Sequence, residues 1–120
     1  MRMINLLFAV LLAAWASLMS NEVNAAWFTV NSKVKGVSTY GHTSTILVVL
    51  ESQGRDIPLC SNKSAFAIGA DMEQERRDRM YSMLLAARAA SLSVRIAFED
   101  SKCVSWSKSN VYRKITNVSI

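Results

Sequence analysis

A mainly β fold, five strands closed into a small barrel with one helix after the third strand, is predicted for residues 26–120 by three observations. Extended segments with period-two or continuous apolar patterning surround a single segment with helical spacing. The first extended segment changes phase at Gly36, as strands do where a barrel bends. Residues 46–50 (ILVVL) are five consecutive apolar side chains rich in β-branched types, which suits a strand covered on both faces.

The first strand, WFTVNSKVKGVSTY from Trp27 to Tyr40, sets Phe28, Val30, Ser32 and Val34 on one face against Lys33 and Lys35, and after Gly36 the apolar position moves to Val37. A second strand covers Thr43 to Glu51. Ser52, Gln53, Gly54, Arg55 and Asp56 form a turn, and the third strand is expected as the return of a hairpin from Ile57 to Cys60, with Pro58 at its edge or start. Asn62, Lys63 and Ser64 read as loop, Phe66 to Ile68 as a further short strand, and Gly69 as a break.

The helix follows. Asp71 is its expected cap with Gln74 three residues on, Glu73 and Glu75 lie in the first turn, and it is expected to end near Leu92. Met80, Met83, Leu84, Ala87 and Ser91 recur at three- and four-residue spacing as the packing face, with Arg79 and Arg88 pointing away. Glu73 with Arg77, and Glu75 with Arg79, have the favourable i,i+4 order. A fourth strand begins at Ser93 with Val94, Ile96 and Phe98 inward; Cys103, Ser105, Trp106 and Ser107 read as loop. The last strand runs from Val111 to Ile120, with a kink where Ile115, Val118 and Ile120 change phase.

Ahead of this domain, Arg2 precedes an uninterrupted apolar stretch from Leu6 to Ala16, and Ser17, Ser20, Asn21, Glu22 and Asn24 then turn the chain polar. The apolar stretch falls within the roughly 7–15 residues of a signal-peptide core and short of the roughly 20 that cross a bilayer. Val23 and Ala25 occupy the small-residue positions of a cleavage site. Residues 1–25 are therefore expected to be a signal peptide cut after Ala25. A single secreted or periplasmic domain, residues 26–120, remains, with no transmembrane anchor. Cleavage loses Arg2 and Glu22 together, so the formal charge stays at +5.

Export makes Cys60 and Cys103, the two cysteines of the chain, an expected disulfide. Two separated thiols and the single His42 do not supply the four ligands of a structural zinc, so neither a metal nor another cofactor is expected.

The order strand, strand, strand, helix, strand, strand is that of the five-stranded OB barrel. Within it, LLAARAASLSVRIAF (residues 84–98) and the strand Ile57, Pro58, Leu59 entering Cys60 resemble the OB-fold B subunits of bacterial toxins, of the subtilase cytotoxin and typhoid-type pertussis-like kind. The resemblance implies a secreted barrel that assembles into a ring, a pentamer, binds surface glycans and carries a separate effector subunit. The family's further cysteines and its early Tyr-Tyr-Ser segment, where the sugar contacts lie, are absent here. No glycan-binding residue is carried over.

Trp27, Phe28, Tyr40, Trp106 and Tyr112 offer stacking surfaces or core packing. Tyr40, His42 and Trp106, set among polar loop residues, are the expected ligand contacts. The run Glu73 to Arg79 is first a solvated face of mixed charge; its alternative role, through Arg76, Arg77 and Arg79, is to face a central pore or a partner. A basic barrel also suits nucleic acid, with Lys33, Lys35, Arg113 and Lys114 on phosphates, but export disfavours that partner. One histidine, no nucleophile elbow and carboxylates set beside arginines point away from catalysis. The expected function is a non-catalytic binding module for a cell-surface glycan or protein; the alternative is an envelope interaction or structural protein without a glycan site.

Overall fold

The computed structural model describes residues 26–120, so the expected signal peptide lies outside the described residues. The elements are β1 (Trp27–Tyr40), β2 (Thr43–Leu50), β3 (Phe66–Ile68), α1 (Gln74–Ala89), β4 (Ser93–Ser107) and β5 (Asn110–Ser119). Hydrogen bonding runs β1-β2-β3-β5-β4 and closes from β4 back to β1. Every pairing is antiparallel except β3 with β5. This is the predicted OB-type barrel, with the helix between the third and fourth strands.

Closure depends on β1 serving two partners. Its first half, from Trp27 to Lys33, pairs with β4, and its second half pairs with β2. The switch falls where the sequence changes phase: Val34 faces Leu50 while Gly36 faces Val49, leaving Lys35 as the extra residue of a bulge. The β5 kink has the same origin. Ala97 faces Asn117 and Phe98 faces Ile115, so Thr116 is the extra residue, and its hydroxyl donates to the Ala97 carbonyl at 2.9 Å.

Val30, Val34, Val48, Leu50, Phe66, Ile68, Val94, Ile96, Phe98 and Ile115 fill the barrel, and Leu84 and Ala87 of α1 join the same core. Met80, Tyr81 and Met83 pack at its margin, as the helical spacing predicts. Ser91 departs from that prediction because the helix stops before reaching it. Ser91 lies in the left-handed region at φ 54°, its N–H donates to the Arg88 carbonyl, and the Leu92 N–H donates to the Ala87 carbonyl. That pair of bonds is a Schellman ending.

The third strand is a correction. Ile57 to Cys60 form a turn, with the Cys60 N–H on the Ile57 carbonyl at 3.0 Å, and β3 is the short run at Phe66. Pro58 has no N–H for a ladder, and the carbonyls that flank it are claimed from elsewhere. Arg113, on the inner face of β5 and fully buried, donates to the carbonyls of Gln53, of Arg55 (2.9 Å) and of Lys63 (3.1 Å). Its guanidinium also lies 3.9 Å from the centre of the Phe66 ring. Burial lowers its pKa and the Asp56 charge opposes that; the group stays charged.

Cys60 and Cys103 form the expected disulfide, Cα atoms 5.6 Å apart across a sequence separation of 43. Chain entropy assigns such a loop about 4 kcal/mol. Cys103 is not in a loop, however, since β4 extends to Ser107 and its pairing with β5 resumes at Cys103, opposite Arg113, after an irregularity that follows Phe98. The helix start also differs. Asp71 does not cap; its carboxylate takes the Lys114 ammonium of β5, which holds the Asp71 pKa below the ordinary value despite some desolvation. Glu73 stands at the cap position without a side-chain bond and pairs with Arg76 at 3.6 Å, not with Arg77, while the expected Glu75–Arg79 pair forms at 3.7 Å. Arg88 does not point away from the barrel, because its guanidinium reaches the Val34 and Lys35 carbonyls at the β1 bulge.

Two outcomes follow for stability. Ser91→Gly relieves a left-handed residue and raises stability by about 0.5–1 kcal/mol, read as a higher urea midpoint with unchanged slope. Arg113→Met leaves three carbonyls without their donor and lowers stability by about 3–5 kcal/mol. Arg113→Lys does not restore it, since an ammonium lacks the fork that spans separate acceptors.

Candidate functional site

The two hairpins of the barrel end side by side. The β1–β2 turn consists of Gly41 and His42, and the β4–β5 turn of Lys108 and Ser109. Tyr40 and Trp106 each lie on a strand close to one of these turns, so closing the barrel brings together side chains 66 residues apart in sequence. Tyr40, His42 and Trp106, the three expected contacts, form one aromatic cluster. Ring centres are 5.0 Å apart for Tyr40 and Trp106, 5.6 Å for His42 and Trp106, and 6.0 Å for Tyr40 and His42, all edge to face.

The cluster is anchored from below. Trp106 meets the buried Tyr112 at 6.2 Å with perpendicular rings. Tyr112 belongs to a second apolar cluster with Leu47, Ala65 and Ala67, on the face of β2, β3 and β5 opposite the barrel core, and Val49, Val104 and Trp106 cover it. The Tyr112 hydroxyl accepts from the Asn110 side chain at 2.9 Å, and Asn110 accepts from the Asn62 amide at 2.8 Å. Asn62 in turn accepts the N–H groups of Ser64 and Ala65. Tyr40 and His42 remain exposed and Trp106 is half-buried. Edge-to-face pairs contribute about 0.5–1.5 kcal/mol each, which favours this grouping of the rings.

Beside the rings is a depression of about 200 Å³ lined by His42, Thr43, Thr45, Ser105 and Trp106. Its chemistry is an indole, an imidazole and three hydroxyls, with no carboxylate or permanent cation in the lining. It suits a small polar ligand with one apolar face and hydroxyl edges. In OB barrels the face of strands 2 and 3 and the loops joining strands 1 to 2 and 4 to 5 are where oligosaccharides and oligonucleotides bind. The cluster occupies that mouth.

Two larger hollows flank the helix and are less suited to a ligand. One, of about 420 Å³, is lined by Lys33, Glu51, Arg88 and Leu92, with Arg88 already committed to β1 carbonyls. The other, of about 320 Å³, lies between α1 and β5, where Arg76 and Arg79 face Met80, Met83 and Val118. Both of these arginines pair with helix glutamates. Arg77 is separate from them, donating to the Met72 and Ser44 carbonyls at 2.8 and 3.1 Å. The three arginines therefore do not form one row.

The other aromatic candidates divide by burial. Trp27 is 60 % exposed at the start of β1, whereas Phe28 packs on Phe98 and under Arg55. Lys33 and Lys35 are exposed and Lys114 holds Asp71, but Arg113 faces the core, so these four cannot form a track for phosphates. Arg113, which the residues along the chain suggested for phosphate, is instead buried on the inner face of β5, on the same side as Ile115. Among the described residues no group of His, Cys, Asp and Glu is arranged to hold a metal ion, and no helix is long and apolar enough to cross a membrane.

The chain is thus an OB-type barrel, stapled by one disulfide, with an aromatic mouth. No family model and no curated protein matches it. Among solved structures, the cholera toxin-like B-subunit from Citrobacter freundii is similar over 88 % of this chain and 92 % of that one, at 13 % identity and a TM-score of 0.48. Likeness at that level identifies no ligand or partner, and the fold assignment rests on the strand order.

Trp106→Ala removes the ring shared by Tyr40, His42 and Tyr112. It lowers stability by about 2 kcal/mol and reduces the near-ultraviolet circular dichroism signal, while the far-ultraviolet spectrum of the barrel is unchanged.

Proposed function

We propose that the mature protein is a secreted or periplasmic, non-catalytic binding module whose mouth takes a saccharide. The observation that carries this reading is the preformed Tyr40, His42 and Trp106 cluster beside the Thr43, Thr45 and Ser105 hydroxyls, at the mouth where OB barrels take extended polar ligands. A sugar ring has an apolar C–H face that packs on an aromatic ring and hydroxyl edges that exchange hydrogen bonds with Ser and Thr. The uncharged lining favours neutral over acidic sugars. Self-assembly into a ring, with a separate effector subunit, is the extended form of the same reading and is supported by the sequence resemblance alone.

A second reading is an envelope protein that contacts another protein and has no sugar site. Trp27, Leu59 and Ile120, each at least 60 % exposed, are the apolar side chains such a contact would cover.

The disulfide-bonded protein applied to a glycan array is expected to retain neutral glycans, and Trp106→Ala or Tyr40→Ala to weaken that binding tenfold or more. Mass measurement in solution reads the assembly. Folded, oxidised protein that retains no glycan overturns the saccharide reading, and capture of a defined envelope protein by that same sample establishes the second.

A further inference from the structure

The first described residue is held by both of its main-chain polar groups. The Ala26 nitrogen donates to Asp100 Oδ1 at 3.1 Å, and the Asp100 N–H donates to the Ala26 carbonyl at 3.2 Å. The ladder between β1 and β4 begins at the next pair, Trp27 opposite Glu99. The clasp therefore closes the end of the β1–β4 seam, and that seam completes the barrel.

The charges at this place are unevenly matched. Lys102 lies 3.2 Å from Glu99, whose carboxylate is nearly buried. Among the described residues no basic side chain stands within ion-pair distance of Asp100, and Ala26 provides its side chain's one donor. Asp100 thus sets a carboxylate oxygen against the Ala26 nitrogen with no cationic side chain of its own among the described residues.

Cleavage after Ala25 supplies the cation. Hydrolysis of the Ala25–Ala26 peptide bond by a leader peptidase places the water oxygen on the Ala25 carbonyl carbon, and its protons leave a carboxylate on Ala25 and an ammonium on Ala26. We propose that Ala26 is the mature amino terminus and that its ammonium forms an ion pair with Asp100. Removal of the leader thus fastens the last seam of the barrel. The cleavage site comes from the sequence, whereas the waiting carboxylate comes from the fold, and the two agree on one residue. The precursor has only the neutral amide at this position, so it is the less stable form, as suits a chain that must cross a membrane before folding. The inference concerns maturation and does not depend on the saccharide reading.

The test uses the full chain exported by a bacterial host. Intact mass of the purified protein is expected to place the amino terminus at Ala26. Insertion of Gly-Ser after Ala25 moves the ammonium two residues away and is expected to lower Tm by about 2–4 °C, the size of a surface ion pair in a small domain. In an Asp100→Asn background the insertion has no effect, which separates the pair from a general effect of added residues. An ammonium beside a carboxylate has its folded pKa raised above the ordinary range of about 7.7–8.0. Its stabilisation is therefore fully present below that range and lost as pH rises through the folded value. Glu99 and Lys102, the other charges at this seam, remain paired with each other meanwhile. An amino terminus at another residue, equal Tm with and without the insertion, or an insertion effect that survives Asp100→Asn each overturns the proposal.

Discussion

The buried guanidinium of Arg113 is the constraint on which the long β2–β3 connection depends. Three carbonyls from that connection, at Gln53, Arg55 and Lys63, converge on one side chain that projects from β5 into the barrel. A charge taken out of water is costly unless its hydrogen bonds are met. Here the two terminal nitrogens meet backbone acceptors, Nε has no partner among the described residues, and the guanidinium packs against Phe66, with Phe98 behind it at 5.8 Å. The connection consequently has no need of a strand ladder of its own. It crosses the end of the barrel, where Ile57 and Cys60 join the core and the disulfide ties Cys60 to β4.

The same connection supports the hairpin turns, because Ser61 and Asn62 bond to Ser109, Asn110 and Val111 at the β4–β5 turn. The β1–β2 and β4–β5 turns meet because the barrel closes through β1 and β4, and Trp106 is seated on Tyr112 through an apolar patch outside the main core. Each ring lies edge-on to another, and the Asn62–Asn110–Tyr112 chain of hydrogen bonds holds the base. Electrostatics plays a small part at the mouth. The depression beside the rings is lined by no carboxylate and no permanent cation, while Lys114 pairs with Asp71 and Arg77, Arg88 and Arg113 hold backbone carbonyls.

The sequence and the fold agree most closely where local chemistry governs. The Gly36 phase change is the bulge at which β1 exchanges partners, the period-two pattern after Ser93 is the inner face of β4, and the Ile115 to Val118 offset is the bulge at Thr116. Disagreement concentrates where a distant group competes. Ile57 to Cys60 has the composition of a strand, but Arg113 and the disulfide hold it as a turn. Asp71 has the spacing of a helix cap, but Lys114 lies close enough to take its carboxylate. Residues 103–107 look like loop by their serines and short length, yet β5 supplies their ladder.

Residue type and spacing were therefore enough for the element order, most of the helix face and the disulfide, since each depends on side-chain chemistry within a short stretch or on a simple count. They could not reveal that the rings of Tyr40, His42 and Trp106 share one cluster, that Arg113 points into the core, or that Asp100 lies against Ala26. These are contacts between residues 40 or more positions apart, and such contacts exist only once β1 has paired with β2 on one side and β4 on the other. Periodicity assigns a residue to a face of its own strand; only closure of the barrel decides what that face meets.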